Sequence, residues 1–269
     1  MKVPFIKMNG LGNDFVIIEN LSKNFHFNQT LIKKICSRQY GIGCDQLLII
    51  NENKGYEASV EIYNNDGGVT GACGNGVRCV AFYLMNKNRL KKITINTLKD
   101  KLNCWKDGES ISVNMGKPKF DPNDIPLDKD IKKTQFELEG YKIYCVSFGN
   151  PHGVIFTKNL KELENINILE VGPKLEKNPV FLEGSNIEFA TILNDGSIRM
   201  KVWERGAGMT LACGTGACAV LVVANKLNIS ERKNKIILDG GNLYINWLNN
   251  EDVIMTGLVD MVFEGQFYA

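Results

Sequence analysis

Two cysteines, Cys73 and Cys213, stand in one frame, Ala-Cys-Gly-x-Gly, within "TGACGNGVRCVAFYLM" (70 to 85) and "LACGTGACAVLVVANKL" (211 to 227). Each frame opens a run with the composition of a helix, so each thiol lies at a helix start, where the helix dipole and the free amides of Gly-x-Gly favour its thiolate. An unperturbed thiol titrates near pH 8.5, close enough to neutrality to take or give a proton after a modest shift. Two such groups facing one tetrahedral carbon form an acid and base pair: one removes a hydrogen, the other delivers one to the opposite face, and the centre inverts. The amides of Gly74-Asn75 and Gly214-Thr215 suit a carboxylate whose charge grows as the α-proton leaves.

Other readings of the same residues stay open at this stage. Two buried structural thiols beside tight turns are the plainest. A zinc site would draw on Cys73, Cys79, Cys213 and Cys218, but C-x5-C and C-x4-C differ from the tight knuckles of structural zinc. "GTGACA" (214 to 219) fits G-x-G-x-x-A formally, yet it follows a glycine-rich loop instead of a strand, and its counterpart "GNGVRC" fails the pattern. A redox or metal-binding module without enzymatic activity is the remaining alternative. Cys36, Cys44, Cys104 and Cys145 each sit among apolar or strand-like neighbours and read as core.

The elements that must position these thiols repeat as well. Cys213 follows Cys73 by 140 residues, as Asn186 follows Gln46, and each cysteine comes nine residues after a polar residue preceded by an aromatic one, Tyr63-Asn64 and Trp203-Glu204. "GLGNDFVII" (10 to 18) is echoed by "FGNPHGVIF" (148 to 156), with 137 residues between Asn13 and Asn150. An offset of about half the chain indicates two copies of one supersecondary unit. "YEASVEIYN", "ITINTL", "SNIEFATIL" and "SIRMKVWE" have the β-branched content and partial alternation of strands. "CVAFYLM" and "ACAVLVVA" are apolar all round, as buried helices are. The class is therefore α+β, two homologous halves related by a pseudo-twofold, each a mixed sheet around a central buried helix, with the active site expected in the cleft between them. The halves are expected to span 1–116 and 117–257, and "GKPKFDPNDIPLDKDIKKT" (116 to 134), with three of the seven prolines, reads as their connector.

Composition narrows the function classes. The chain has 269 residues, 44% apolar and 23% charged, and 32 basic against 30 acidic residues leave a net charge of +2. The lysines are scattered, so no nucleic-acid footprint is expected. The start "MKVPFIKMNGLGNDF" has no apolar signal core, and "ACAVLVVA" is too short to span a bilayer, so a cytoplasmic protein with no membrane partner is expected.

In order along the chain, "MNGLGNDFV", "YNNDG", "ACGNGVRC", "GNPHGV", "WERG" and "LACGTGACA" resemble the diaminopimelate epimerase family. The proline racemases carry a comparable cysteine pair in differently flanked motifs, and the phenazine-biosynthesis isomerases of this fold lack it. The resemblance implies interconversion of LL- and meso-2,6-diaminopimelate by a thiolate and a thiol, with no cofactor and no metal, in lysine and peptidoglycan precursor biosynthesis. It implies that Asn13, Gln46, Asn64, Asn150, Asn186, Glu204 and Arg205 hold the substrate, with Gly74, Asn75, Gly214 and Thr215 on the reacting carboxylate. It also implies that Cys73 and Cys213 are catalytic, that His152 and Glu204 tune them, that 258–269 return to the first half, and that the chain forms a homodimer using Phe263. Neutral amides with one Glu and one Arg can pair two amino and two carboxylate groups. Taken singly, the asparagines of "GND", "NND" and "GNP" are ordinary turn residues. His26, in "NFHFN", reads as surface or loop. Gly68 and Met209 depart from the commonest family pattern, and Met209 makes its loop less polar.

Overall fold

The computed structural model describes residues 2–71 and 73–268, which fall into two compact units, Met1–Asn114 with Thr256–Ala269, and Met115–Met255. In the first unit the C-terminal strand Asp260–Tyr268 runs antiparallel to Lys2–Gly10, which forms a hairpin with Asn13–Glu19. The turn uses Leu11 and Gly12, both at positive φ, the backbone that a tight two-residue hairpin requires. Asn13–Glu19 runs parallel to Gln46–Asn53, and a parallel pair needs a crossover; helix α1 (Gln29–Cys36) lies within it, capped by the Asn28 side chain on the Leu31 amide at 2.9 Å. Gln46–Asn53 pairs antiparallel with Glu57–Asn64, which runs parallel to Lys92–Asn96; the crossover here is helix α2 (Gly74–Lys87). Lys101–Asp107 and Ser110–Asn114 follow, each antiparallel to the strand before it.

The second unit repeats this order. Tyr141–Ser147 and Pro151–Phe156 form a hairpin, Pro151–Phe156 runs parallel to Asn186–Ile192, and the crossover carries helices α3 (Leu160–Asn165) and α4 (Ile168–Glu176). Asn186–Ile192 pairs antiparallel with Ile198–Glu204, which runs parallel to Lys233–Leu238 across helix α5 (Gly214–Lys226), and Gly241–Trp247 follows antiparallel. The registers match too: Phe15 faces Gln46 in the first unit as His152 faces Asn186 in the second, and Leu47 faces Tyr63 as Ile187 faces Trp203. The fold is α+β.

Both central helices are buried: α5 has no charged residue before its last position, and α2 takes Asn75 and Arg78 inside along with its apolar residues. In α5 every residue from Gly214 to Ala224 is buried. In α2 Gly74 to Ala81, Leu84 and Met85 are buried, Phe82 and Tyr83 are half-buried, and the polar Asn86 and Lys87 at the C-terminal end are exposed. Each fully buried Leu or Val of these helices contributes roughly 1.5–3 kcal/mol of transfer free energy. The stretch 116–134 belongs to the second unit: Ile125 and Leu127 are buried in its core, and Lys119 and Leu127 bridge to Ser147 and Phe181.

Candidate active site

In the first unit Cys73 is the N-cap of α2, in extended backbone, and its sulfur accepts the Gly76 amide at 3.3 Å. Its thiol lies 3.9 Å from the Asn13 side-chain oxygen. Asn13 is held in turn: its Nδ2 donates to Asp45 Oδ2 at 2.8 Å, and Arg38 Nη2 donates to Asp45 Oδ1 at 2.8 Å. Gln46 Nε2 donates to Asn64 Oδ1 at 2.9 Å, while Gln46 Oε1 is buried and accepts no hydrogen bond from the described residues. Gly74 and Asn75 are buried in the first turn of α2. Gly76 has a packing reason, because a Cβ there would come within 3.2 Å of Leu48 and 3.3 Å of Phe15.

In the second unit Cys213 is the N-cap of α5, buried, with its sulfur 3.6 Å from Thr215 Oγ1. Burial pushes its thiol well above the ordinary range, and the Glu204 and Glu188 carboxylates push it the same way, against the Thr215 hydroxyl and the Gly216 amide. Burial also raises Glu204, whose carboxylate is partly compensated by hydrogen bonds from Thr210 and Cys213. His152, fully buried, touches Glu188 Oε1 through Nδ1 at 2.7 Å and Asn150 Oδ1 through Nε2 at 3.1 Å. Asn150 Nδ2 donates to Thr215 Oγ1 at 3.4 Å.

The corner that carries Glu204 and Arg205 is fixed from behind. Asn186 donates to Pro151 O at 2.9 Å and accepts the Arg205 amide at 3.0 Å. Glu176 accepts from Trp203 Nε1 at 2.7 Å and from the Gly206 amide at 2.9 Å. The Arg205 guanidinium donates to Glu183 O at 3.1 Å. Within the first unit, then, Asn13 meets Cys73 and Gln46 meets Asn64; within the second, Asn150, His152, Thr215, Glu204 and Cys213 form one cluster, with Asn186 and Arg205 joined beside it. Cys79 and Cys218 are buried inside their helices, and His26 is exposed on a loop.

Sequence reasoning passed over Asp45, Thr210, Glu176 and Glu188. For Glu188 a signal existed. Carrying the 140-residue offset from Gln46 and Asn186 two residues further sets Leu48 against Glu188, a carboxylate in an apolar strand.

Two units of one design, each placing a cysteine at the start of a buried helix, define a class of two-unit α+β proteins. Solved structures with this fold include a phenazine biosynthesis protein of the PhzF family from Enterococcus faecalis, with TM-score 0.71 and 12% identity over all of both chains. A hydroxyproline epimerase from Agrobacterium vitis, with TM-score 0.67 and 11% identity, covers 98% of this chain and 92% of its own. In sequence the chain is 41% identical to the diaminopimelate epimerase of Phenylobacterium zucineum, over 98% of this chain and 97% of that one, and 39% identical to that of Acetivibrio thermocellus, over 97% of each. The family model for diaminopimelate epimerase matches residues 5–120 and 144–262. The chain belongs to the diaminopimelate epimerase family and is an isomerase.

Proposed function

We propose that this protein interconverts LL- and meso-2,6-diaminopimelate without a cofactor, Cys73 and Cys213 acting on opposite faces of one α-carbon. The observation that carries the reading is the recurrence of a helix-capping cysteine at matched places of the two units, each followed by buried Gly-x-Gly. A thiolate takes the α-hydrogen, the second thiol gives one to the other face, and the amides of Gly74, Asn75, Gly214 and Thr215 hold the carboxylate as charge builds on it. Asn13, Gln46, Asn64, Asn150, Asn186, Glu204 and Arg205 bind the remaining polar groups of the substrate. His152 and Glu204 set the protonation of the thiols; the cluster around Cys213 supports that role.

The protein serves lysine and peptidoglycan precursor synthesis in the cytoplasm as a homodimer. Exposed Met261, Val262 and Phe263 on the C-terminal strand support a subunit interface there. Among the described residues no helix is long and apolar enough to cross a membrane.

The test is turnover of LL-diaminopimelate in deuterium oxide with no added cofactor. Solvent deuterium is expected at the α-carbon of the inverted product, while substrate recovered early stays protiated, because a thiol that has taken the hydrogen keeps it until the product leaves. Early product that retains the substrate hydrogen overturns the two-thiol reading. Sedimentation of the protein and of Phe263→Glu reads the dimer, and an unchanged monomer in both rejects it.

A further inference from the structure

The two units match strand for strand, but the ground beneath the cysteine-bearing helices differs. Under α2 the second glycine of the frame, Gly76, rests on Leu48 and Phe15. Under α5 the equivalent glycine, Gly216, rests on Glu188: a Cβ there would come within 2.7 Å of Glu188 Oε1. Leu48 and Glu188 lie 140 residues apart, as the cysteines do, and Phe15 and His152 occupy the same register position beside Gln46 and Asn186. An apolar pair in one unit is thus a histidine and a carboxylate in the other, both fully buried.

Burying such a pair costs more than burying leucine and phenylalanine unless every polar atom is matched. Here one is not: Glu188 Oε2 is buried and accepts no hydrogen bond from the described residues. Packing therefore does not explain the pair, and its contacts lead toward the thiol. Asn150 Oδ1 can only accept, so His152 Nε2 carries a hydrogen. One proton is then held between Nδ1 and Glu188 Oε1, on whichever of the two atoms it rests. Asn150 gives its amide hydrogen to Thr215, which leaves the Thr215 hydroxyl hydrogen for the Cys213 sulfur.

We propose that Glu188 is the positioning residue of this reaction: it fixes His152 with Nε2–H toward Asn150 and, through Asn150 and Thr215, orders the donor that faces Cys213. The role rests on the epimerase reading, since Cys213 is its endpoint. The titratable groups that surround Glu188 are His152 on the neighbouring strand, Cys145 on the strand beyond it, Glu204, and Cys213 at the helix start. Glu188 is a positioning residue and not a catalytic one: its hydrogen bonds reach the thiol only through three other side chains, and its charge acts on Cys213 without touching the reacting atoms.

The chain has only two histidines, so the ring of His152 can be watched directly. Full-length enzyme labelled with 15N-histidine, with His26→Gln to remove the second signal, is expected to show a protonated Nε2 and a shared proton at Nδ1. Glu188→Gln is expected to keep the Nε2–H form and lose the shared proton. It is expected to lower kcat about 10- to 100-fold, the loss seen when a carboxylate that orients a metal-binding histidine is removed, with KM within about twofold. Losing the carboxylate also moves the pH midpoint of Cys213 alkylation by iodoacetamide downward, a readout that needs no turnover. Glu188→Leu removes the partner of Nδ1 altogether and is expected to lose the shared proton and leave the ring free to turn. A wild-type ring with Nδ1–H and a bare Nε2 overturns the proposal, as do unchanged ring signals and an unchanged alkylation profile in Glu188→Gln, which is isosteric and decides the matter if the leucine variant fails to fold. If the ring and alkylation responses appear in a protein that does not epimerise diaminopimelate, the positioning stands and the epimerase reading falls.

Discussion

The surroundings of Cys73 and Cys213 are built on equivalent strands of the two units, at matching register, and differ in their charged side chains. Cys73 is half-buried, receives a backbone amide and faces the neutral Asn13. Cys213 is buried beside two carboxylates that hold its proton on. A duplicated scaffold therefore does not imply duplicated electrostatics: the backbone repeats because sheet and helix packing demand it, whereas the side chains under each helix are free to differ. An enzyme that takes a proton from one side of a carbon and delivers one to the other needs a proton in place on one thiol, and the surroundings of Cys213 hold one there.

Replacing either cysteine removes one side of the pair outright and carries the heaviest loss. Cys73→Ala and Cys213→Ala should each lower epimerisation by about 100 to 10,000-fold, since inversion needs both an acceptor and a donor. Near-normal turnover by either variant in the cofactor-free assay means that one face suffices and the pair has no joint role.

The next effect is the asymmetry itself. Burial and the Glu204 and Glu188 charges raise Cys213, so its alkylation in the ligand-free enzyme should begin only at clearly alkaline pH, and Glu204→Gln, by removing one of those charges, should move the onset down. Peptide mass spectrometry across a pH series measures this; Cys213 modified readily at neutral pH contradicts the direction.

Much of this was legible in the sequence because it repeats. The offset shared by Cys73 and Cys213, and by Gln46 and Asn186, exposes the duplicated α+β design, and the all-apolar runs after each frame mark α2 and α5 as central helices. What stayed hidden depends on distance in space. Asp45 orients Asn13 through a hydrogen bond across 32 positions, and Glu176 braces the Glu204–Arg205 corner from a helix 30 positions away from Gly206. Nothing local in "GCDQ" or "KLEKN" announces either contact. The connector stretch shows the reverse limit: its prolines and charges read as a link, while Ile125 and Leu127 fasten it into the second core.

Making the second unit like the first asks directly what the difference is for. The double variant His152→Phe with Glu188→Leu exchanges a buried polar pair, one oxygen of which accepts nothing from the described residues, for the apolar pair found under α2. Replacements of this kind are commonly neutral or stabilising by about 1–4 kcal/mol. Denaturant unfolding should show stability equal to or above wild type while epimerisation falls. The mirror change, Leu48→Glu, buries an unpaired carboxylate and should cost about 3–5 kcal/mol. Loss of stability in the double variant would mean that the polar pair is there to hold the fold and not to serve the thiol.

The mildest change is expected where the two cysteines at the helix starts are set against the two that follow them. Cys79 and Cys218 lie in the same helices as Cys73 and Cys213, yet both are fully buried within the helix body, and burial raises the Cys79 thiol out of the reactive range. Both sulfurs are buried, so Cys79→Ala and Cys218→Ala remove one buried atom each and leave a void too small for more than about 1 kcal/mol of loss. The frame glycines and the thiols ahead of them are untouched, so kcat and KM should stay near wild type while the unfolding midpoint drops slightly. A large fall in kcat for either variant, with the fold intact by circular dichroism, would show that chemistry extends into the helix body and that position at the helix start is not what sets Cys73 and Cys213 apart.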